Sequence, residues 1–312
     1  MIEFQAQGEY EFRVHGGPRD GLLLNRSKNL ITDYGLDWFV GLEPGYYMHQ
    51  GPLYGCYVGT GTVAPEASDL SLGALAMSTT TIVSSIPASG DVTVTVGASD
   101  RYYELQRVFR FAAAASNVNL TEVAVGSTST TVASRALIVD GGGNPTPVTL
   151  LTGEQLDVTY KLRVTAPTKD VAASTSNCGS GSVVIGATTY NYTAYLHSFG
   201  PWAGIQLNAN WPGQLAAMGA SDINVAANQL LTYPTGSWPS QIAVACTKAK
   251  QSAGKARLTF TIPLSHATTG VGRILLQPTS SYAAFAFVFD EVIPKDADST
   301  LKLDVDYQMV RG

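Results

Sequence analysis

Apolar and polar residues alternate along much of this chain. Glu9-Tyr-Glu-Phe-Arg-Val14 alternates, Gly16-Gly-Pro-Arg-Asp-Gly21 supplies turn residues, and Leu22-Leu-Leu24 returns. That order predicts a strand pair over residues 9–24. β-Branched runs predict strands at Ile82-Val83 and Val92-Thr-Val-Thr-Val96. Across residues 101–164 the pattern is strand, turn, strand, with breaks at 113–117, 127–130 and 141–147. Short strands at that spacing point to an antiparallel sandwich. Alternation stops at Thr165-Ala-Pro-Thr-Lys-Asp170 and resumes over 182–185, 190–195, 242–245 and 256–262. One segment has helical period. In residues 29–42, Leu30, Ile31, Tyr34, Phe39 and Val40 fall on one side, and Glu43-Pro-Gly ends the run. Gly35 weakens that helix. The expected fold class is all-β: two tandem antiparallel β-sandwich (jelly-roll-like) domains with a short helix near residues 29–42.

The two halves close alike. Arg135-Ala-Leu-Ile-Val-Asp140 and Leu156-Asp-Val-Thr-Tyr160 end the first, and Phe285-Ala-Phe-Val-Phe-Asp290 and Leu303-Asp-Val-Asp-Tyr307 end the second. Upstream, Val108-Phe-Arg-Phe111 is echoed by Leu258-Thr-Phe-Thr-Ile262. Phe260 follows Phe109 by 151 positions, Asp290 follows Asp140 by 150, and Tyr307 follows Tyr160 by 147. The echo covers roughly residues 105–163 and 256–310. It predicts two related units, 1–166 and 167–312, with the second partly repeating the closing strands of the first. Tyr160 and Tyr307 are expected as half-buried strand residues.

Composition narrows the function. Charged residues are 14% of the chain, against about 25% in an average soluble protein. Ser, Thr, Gly, Asn and Ala take their place. Such a surface suits broad subunit contact, because little charge must be desolvated. It equally suits a neutral, secreted-like β-protein. Net charge is −5, and no Lys/Arg run exceeds two residues, so a nucleic-acid partner is not expected. Cys56, Cys178 and Cys246 have neither zinc nor CxxC spacing. They read as reduced residues, with a Cys178–Cys246 pair as the alternative. Residues 1–8 lack a signal peptide's basic and apolar regions, and no run reaches the ~20 apolar residues of a membrane span. Neither export by that route nor membrane insertion is expected.

Chemistry is sparse. Val58-Gly-Thr-Gly-Thr62 has a phosphate loop's glycines but no following Lys-Ser/Thr. Its glycines are expected to supply permissive φ. Asn177-Cys-Gly-Ser-Gly181 lacks the first glycine of a nucleophile turn. His15, His49, His197 and His266 have no helical metal spacing. Asp304 and Asp306 fall on one strand face about 7 Å apart. They fit a carboxylate pair, a Ca²⁺ ligand set or a solvated sheet edge. No enzyme activity and no cofactor are expected.

An ordered set of segments resembles a module of tailed-bacteriophage virion proteins. It runs through Gly21-Leu-Leu-Leu24, Asn29-Leu-Ile-Thr-Asp-Tyr-Gly-Leu-Asp-Trp38, Tyr57-Val-Gly-Thr-Gly-Thr-Val-Ala-Pro65 and Ser68-Asp-Leu-Ser-Leu72. It continues with Tyr103 through Phe111, Asn119-Leu-Thr-Glu-Val-Ala-Val-Gly126, Ser134-Arg-Ala-Leu-Ile138 and Thr149-Leu-Leu-Thr-Gly-Glu-Gln-Leu-Asp-Val-Thr-Tyr160. Each segment is short; their order carries the likeness, over about residues 20–165. The resemblance implies a non-enzymatic structural component of a virion, in the tail, a fibre or the baseplate, assembled in the host bacterial cytoplasm. Its partners would be copies of itself and neighbouring virion proteins. Two alternatives are a receptor-binding module for host surface polysaccharide and a neck, collar or capsid-attached fibre protein. Candidate contact residues are aromatic rings among glycines and prolines: Tyr46, Tyr47, Tyr54, Phe199, Trp202, Trp211 and Trp238. Such rings cap cores, anchor interfaces or stack on sugars.

Overall fold

The structure, a computed structural model, describes residues 2–40, 51–86, 95–96, 101–165, 176–199, 214–218, 242–243, 245–262, 271–277, 283–294, 298 and 300–312. The chain's described residues are all-β with one short helix. Its elements in the first half are β1 (Ile2–His15), β2 (Leu23–Lys28), β3 (Leu30–Ile31), α1 (Asp33–Phe39), β4 (Gly55–Gly59), β5 (Leu75–Thr79), β6 (Ile82–Ile86), β7 (Thr95–Val96), β8 (Arg101–Arg110), β9 (Val118–Leu120), β10 (Glu122–Thr128), β11 (Thr131–Leu137), β12 (Val148–Leu150) and β13 (Gln155–Thr165). The second half adds β14 (Ser176–Ile185), β15 (Thr188–Phe199), β16 (Gln214–Met218), β17 (Ile242–Ala243), β18 (Ala245–Ser252), β19 (Lys255–Ile262), β20 (Val271–Gln277), β21 (Ala283–Ile293) and β22 (Leu301–Arg311).

Strands from both halves share one nine-stranded sheet, ordered β18-β19-β22-β1-β13-β8-β6, with β2 added to β1 and β7 to β8. The sheet therefore crosses the expected boundary at 166/167. Strand β1 lies at its centre. Its even positions Phe4, Ala6, Tyr10, Phe12 and Val14 are buried, and its polar odd positions other than buried Glu11 are exposed or half-buried. Against β13 it pairs antiparallel, with Tyr10 opposite Tyr160. Against β22 it pairs parallel, from Ile2↔Tyr307 to Ala6↔Arg311. That parallel pair departs from the antiparallel expectation. A parallel pair needs a long crossover, and here most of the chain supplies it.

The echoed closing strands, β13 and β22, thus flank the same strand. Each carries its own outer partner, β8 and β19. Each pair is also bridged by an Arg–Asp fork between directly opposed residues. Arg110 Nε and Nη2 donate to Asp157 at 2.8 and 2.7 Å, and Arg257 Nε and Nη2 donate to Asp306 at 2.6 and 2.8 Å. Tyr160 and Tyr307 are fully buried, not half-buried. The Tyr10 and Tyr160 rings lie 4.9 Å apart, and the Tyr10 hydroxyl reaches Ser134 on β11.

A five-stranded sheet, β3-β11-β10-β4-β5, packs its Ile31, Cys56, Val58, Val123, Val125 and Ala136 into the core shared with β1, β8, β13 and β22. A six-stranded sheet, β14-β15-β21-β20-β16-β17, and the β9/β12 pair complete the strands among the described residues.

The helix is shorter than the periodicity predicts. Leu30 and Ile31 pair with Arg135 and Ser134 of β11, so they are strand, and Thr32 is the N-cap. Thr32 Oγ1 accepts from Gly35 N at 3.1 Å and donates to the Val132 carbonyl at 2.7 Å. Residues 41 and 42 lie outside the described residues. Gly35 is there for close approach: a Cβ would sit 2.2 Å from the Ala133 carbonyl oxygen of β11. Helix and C-terminus are tied together. Tyr307 donates its hydroxyl proton to the Val40 carbonyl at 2.6 Å, Arg311 Nε donates to the Ile31 carbonyl at 2.6 Å, and Arg311 also pairs with Asp33. Buried Asp37 accepts from Gly254 N at 2.8 Å and from Lys250, which docks the β18–β19 turn on α1.

Gly35→Ala adds a residue that favours helices by about 1 kcal/mol. The contact with Ala133 outweighs that gain, so the variant is expected to lose about 2 kcal/mol or more of stability in urea unfolding.

Candidate functional site

The best-organised polar group is a buried carboxylate and guanidinium beneath the loop of residues 60–74. Glu122 opens β10 and Arg135 lies on neighbouring β11, both almost wholly shielded from water. On one face β10 feeds the main core through Val123 and Val125. On the other, Ala124 joins Tyr57, Leu72 and Val132 in a second, smaller cluster. Glu122 lies beside that cluster, and the 60–74 loop folds over it.

The loop is held by its backbone. Glu122 accepts from Gly61 N at 2.9 Å, Gly73 N at 3.0 Å and Ala74 N at 2.8 Å. Arg135 donates to Glu122 Oε2 through Nε at 3.2 Å and Nη2 at 2.8 Å. It also donates to Asp69 Oδ2 at 2.5 Å and to the Val63 carbonyl at 3.0 Å. Asp69 accepts from Glu66 N at 2.8 Å, and Asp33 N donates to the Ala67 carbonyl at 2.7 Å. Burial pushes the Glu122 carboxyl up. The N–H groups of Ala74 and Gly73, the Arg135 guanidinium and Gly61 N together outweigh it and hold the group below the usual carboxylate range.

This explains the Gly59 and Gly61 pattern differently from the sequence. Neither glycine is among those with positive φ. A Cβ on Gly59 would lie 2.4 Å from the Ala74 carbonyl and 2.6 Å from Glu122 Oε1, and one on Gly61 would lie 2.3 Å from Glu122 Oε1. The glycines give the carboxylate room. With every carboxylate oxygen already bonded, Glu122 has no free position for a substrate.

Other segments of the series from Gly21 to Tyr160 are also engaged within the fold, although Asn29 Oδ1 is buried without a hydrogen-bond partner. Asn29 Nδ2 donates to the Tyr160 hydroxyl at 3.1 Å, which joins the opening of the series to its close. Arg19 pairs with Glu154, and the ion pair holds that carboxyl below its ordinary range. Arg107 is buried, and its Nη1 donates to the Leu53 carbonyl at 2.5 Å; burial lowers the guanidinium to about 10.

The aromatic candidates are not brought together by any described contact. Tyr54 is exposed at 44%, just before β4. Phe199 ends β15, and only its backbone is described. Tyr46, Tyr47, Trp202, Trp211 and Trp238 lie outside the described residues. Asp304 and Asp306 face outward from β22, which lies between β1 and β19 and is not a sheet edge. They are engaged by Thr259 and Arg257. Ser180, in the nucleophile-like run, is in a strand opposite Thr193, not on a sharp turn. Cys56 is a buried free thiol, raised by burial. Among the described residues no cluster of His, Cys, Asp or Glu is placed to hold a metal, and no helix is long and apolar enough to cross a membrane.

A recess of about 400 Å³ opens where β22 ends and β2 begins along β1. Glu9, Glu104, Lys28, Lys161 and Arg163 line it. Those charges are of both signs.

No protein-family model, curated protein or solved structure matches the chain.

Glu122→Gln leaves Arg135 buried beside a neutral amide. It is expected to lose about 3 kcal/mol or more and to open the 60–74 loop to limited proteolysis. Folded Glu122 ionises more readily than unfolded Glu122. Its contribution is therefore complete above pH about 4.5 and lost as pH falls through the lower folded value. The stability gap between wild type and Glu122→Gln should narrow as pH drops from about 6 to about 3. A gap that holds constant, measured by urea midpoints, would show that the charge is not what Arg135 and the loop require.

Proposed function

We propose that the protein is a non-enzymatic structural component of a bacteriophage virion, in the tail, a fibre or the baseplate, acting by self-association and docking to neighbouring virion proteins. One observation carries the reading. Gly59, Gly61, Glu122, Glu154 and Tyr160, spread through the phage-like series, all bond or make room within the fold. Groups spent on one another in this way serve a scaffold. The low charge fits assembly, since broad contacts then desolvate few ions.

Antibody raised against the chain is expected to label intact purified virions at one tail-proximal position in electron micrographs. Labelling confined to unassembled protein in lysates, with none on particles, would sink the proposal.

A further inference from the structure

Charge is distributed unevenly along the chain. Of its 19 Lys and Arg and 24 Asp and Glu residues, Asp222 alone falls between Val171 and Thr247. The first described strand of that stretch is β14, the outermost strand of the six-stranded sheet. One of its edges pairs with β15, from Ser176↔Leu196 to Ile185↔Thr188. Among the described residues no strand pairs with the other edge. Ser180, Ser182 and Val184 are exposed, Val184 at 66%. On the opposite face Val183 and Ile185 pack against the core, and the Tyr192 ring covers its cross-strand partner Gly181.

A free strand edge offers N–H and C=O groups to any other strand. Edges kept apart are guarded by charge, by proline or by shortness. At one end of the nine-stranded sheet, β18 carries Lys248 and Lys250. At the other, β6 has five residues. The ten residues of β14 include no charge and no proline, and its bulge is confined to Asn177–Gly179 at one end.

We infer that β14 is a self-pairing edge, on which a second copy of this chain lays its own β14 antiparallel about a two-fold axis. The two six-stranded sheets then continue as one. The charge pattern selects a second copy as occupant. An isologous contact sets each patch against itself, so any net charge there would repel. Here there is none to repel or to desolvate. The paired strands run together for about 33 Å, and Val183, Val184 and Ile185 lose water. This inference deepens the assembly reading above and rests on it.

The test is the mass of the full chain in solution, by light scattering on a size-exclusion column. Wild type is compared with Ser182→Lys/Val184→Lys and with Val63→Lys, a valine 68% exposed in the 60–74 loop. Wild type and Val63→Lys are expected as even-numbered oligomers. The double variant is expected at half that mass, with an unchanged circular dichroism spectrum. If the double variant unfolds, Val184→Lys alone, whose side chain already stands in water, is read in its place. Oligomers that persist in the folded variant overturn the edge assignment and leave the assembly reading standing. A wild type that stays monomeric at its highest soluble concentration overturns both.

Discussion

The close contact between Gly35 of the helix and the Ala133 carbonyl of β11 sets the positions of distant parts of the chain. A seven-residue helix has little stability of its own, because nucleation costs more than so few hydrogen bonds return. It exists because Thr32 caps it and because one face lies flat on β11. Once there, it presents fixed acceptors to sequence far away. The carbonyls of Ile31 and Val40 receive Arg311 and Tyr307, and the Asp37 carboxylate receives Gly254 and Lys250. Those contacts hold β22 and the β18–β19 turn in place. They therefore also hold the parallel pairing of β22 with β1.

Glu122 shows how a buried charge becomes framework. A carboxylate taken out of water costs several kcal/mol unless its oxygens are bonded. Here three backbone N–H groups and a guanidinium supply the bonds. The arrangement works only with the loop closed, since the N–H groups come from the loop itself. Loop geometry and ionisation are thus one event. A catalytic carboxylate is built differently, with at least one oxygen left for the reacting proton.

Much of this fold was legible in the sequence because alternation is a local signal. The strand pairs near the N-terminus, at β10–β11 and at β14–β15 follow from it. What was not legible is long-range. Nothing near Leu30 announces Arg135 as its partner, so the helical period was extended over a strand. Gly35 argued against a helix locally, yet in the fold it is what lets the helix seat. Gly59 and Gly61 marked a special backbone site, but the cause, a carboxylate some 60 positions away, is tertiary. One signal for that centre was available. Leu120-Thr-Glu-Val-Ala-Val125 and Ala133-Ser-Arg-Ala-Leu137 each place one charge in an otherwise uncharged, largely apolar segment, with opposite signs on adjacent strands. The aromatic loops carry no comparable internal signal, since a ring among glycines suits a core cap, an interface or a sugar equally well.

The repeated closing strands have a physical reason that the repeat alone does not reveal. Strands β13 and β22 do the same job on opposite sides of β1, but one runs against it and the other along it. Inward alternation of Leu, Val and Tyr is indifferent to direction, because period two reads the same both ways. Cross-strand charge is not indifferent, because it needs a particular opposite residue. The forks reach the outer partners, both antiparallel, and fall at different places: Asp157 is three residues before Tyr160, whereas Asp306 immediately precedes Tyr307. Register confirms the shift. Phe109 lies opposite Val158, while Phe260 lies opposite Leu303, the counterpart of Leu156. The apolar pattern could be copied unchanged, and the ion pairs had to be set anew for each register. Related sequence at the two closings therefore meets one shared demand, that of packing beside β1.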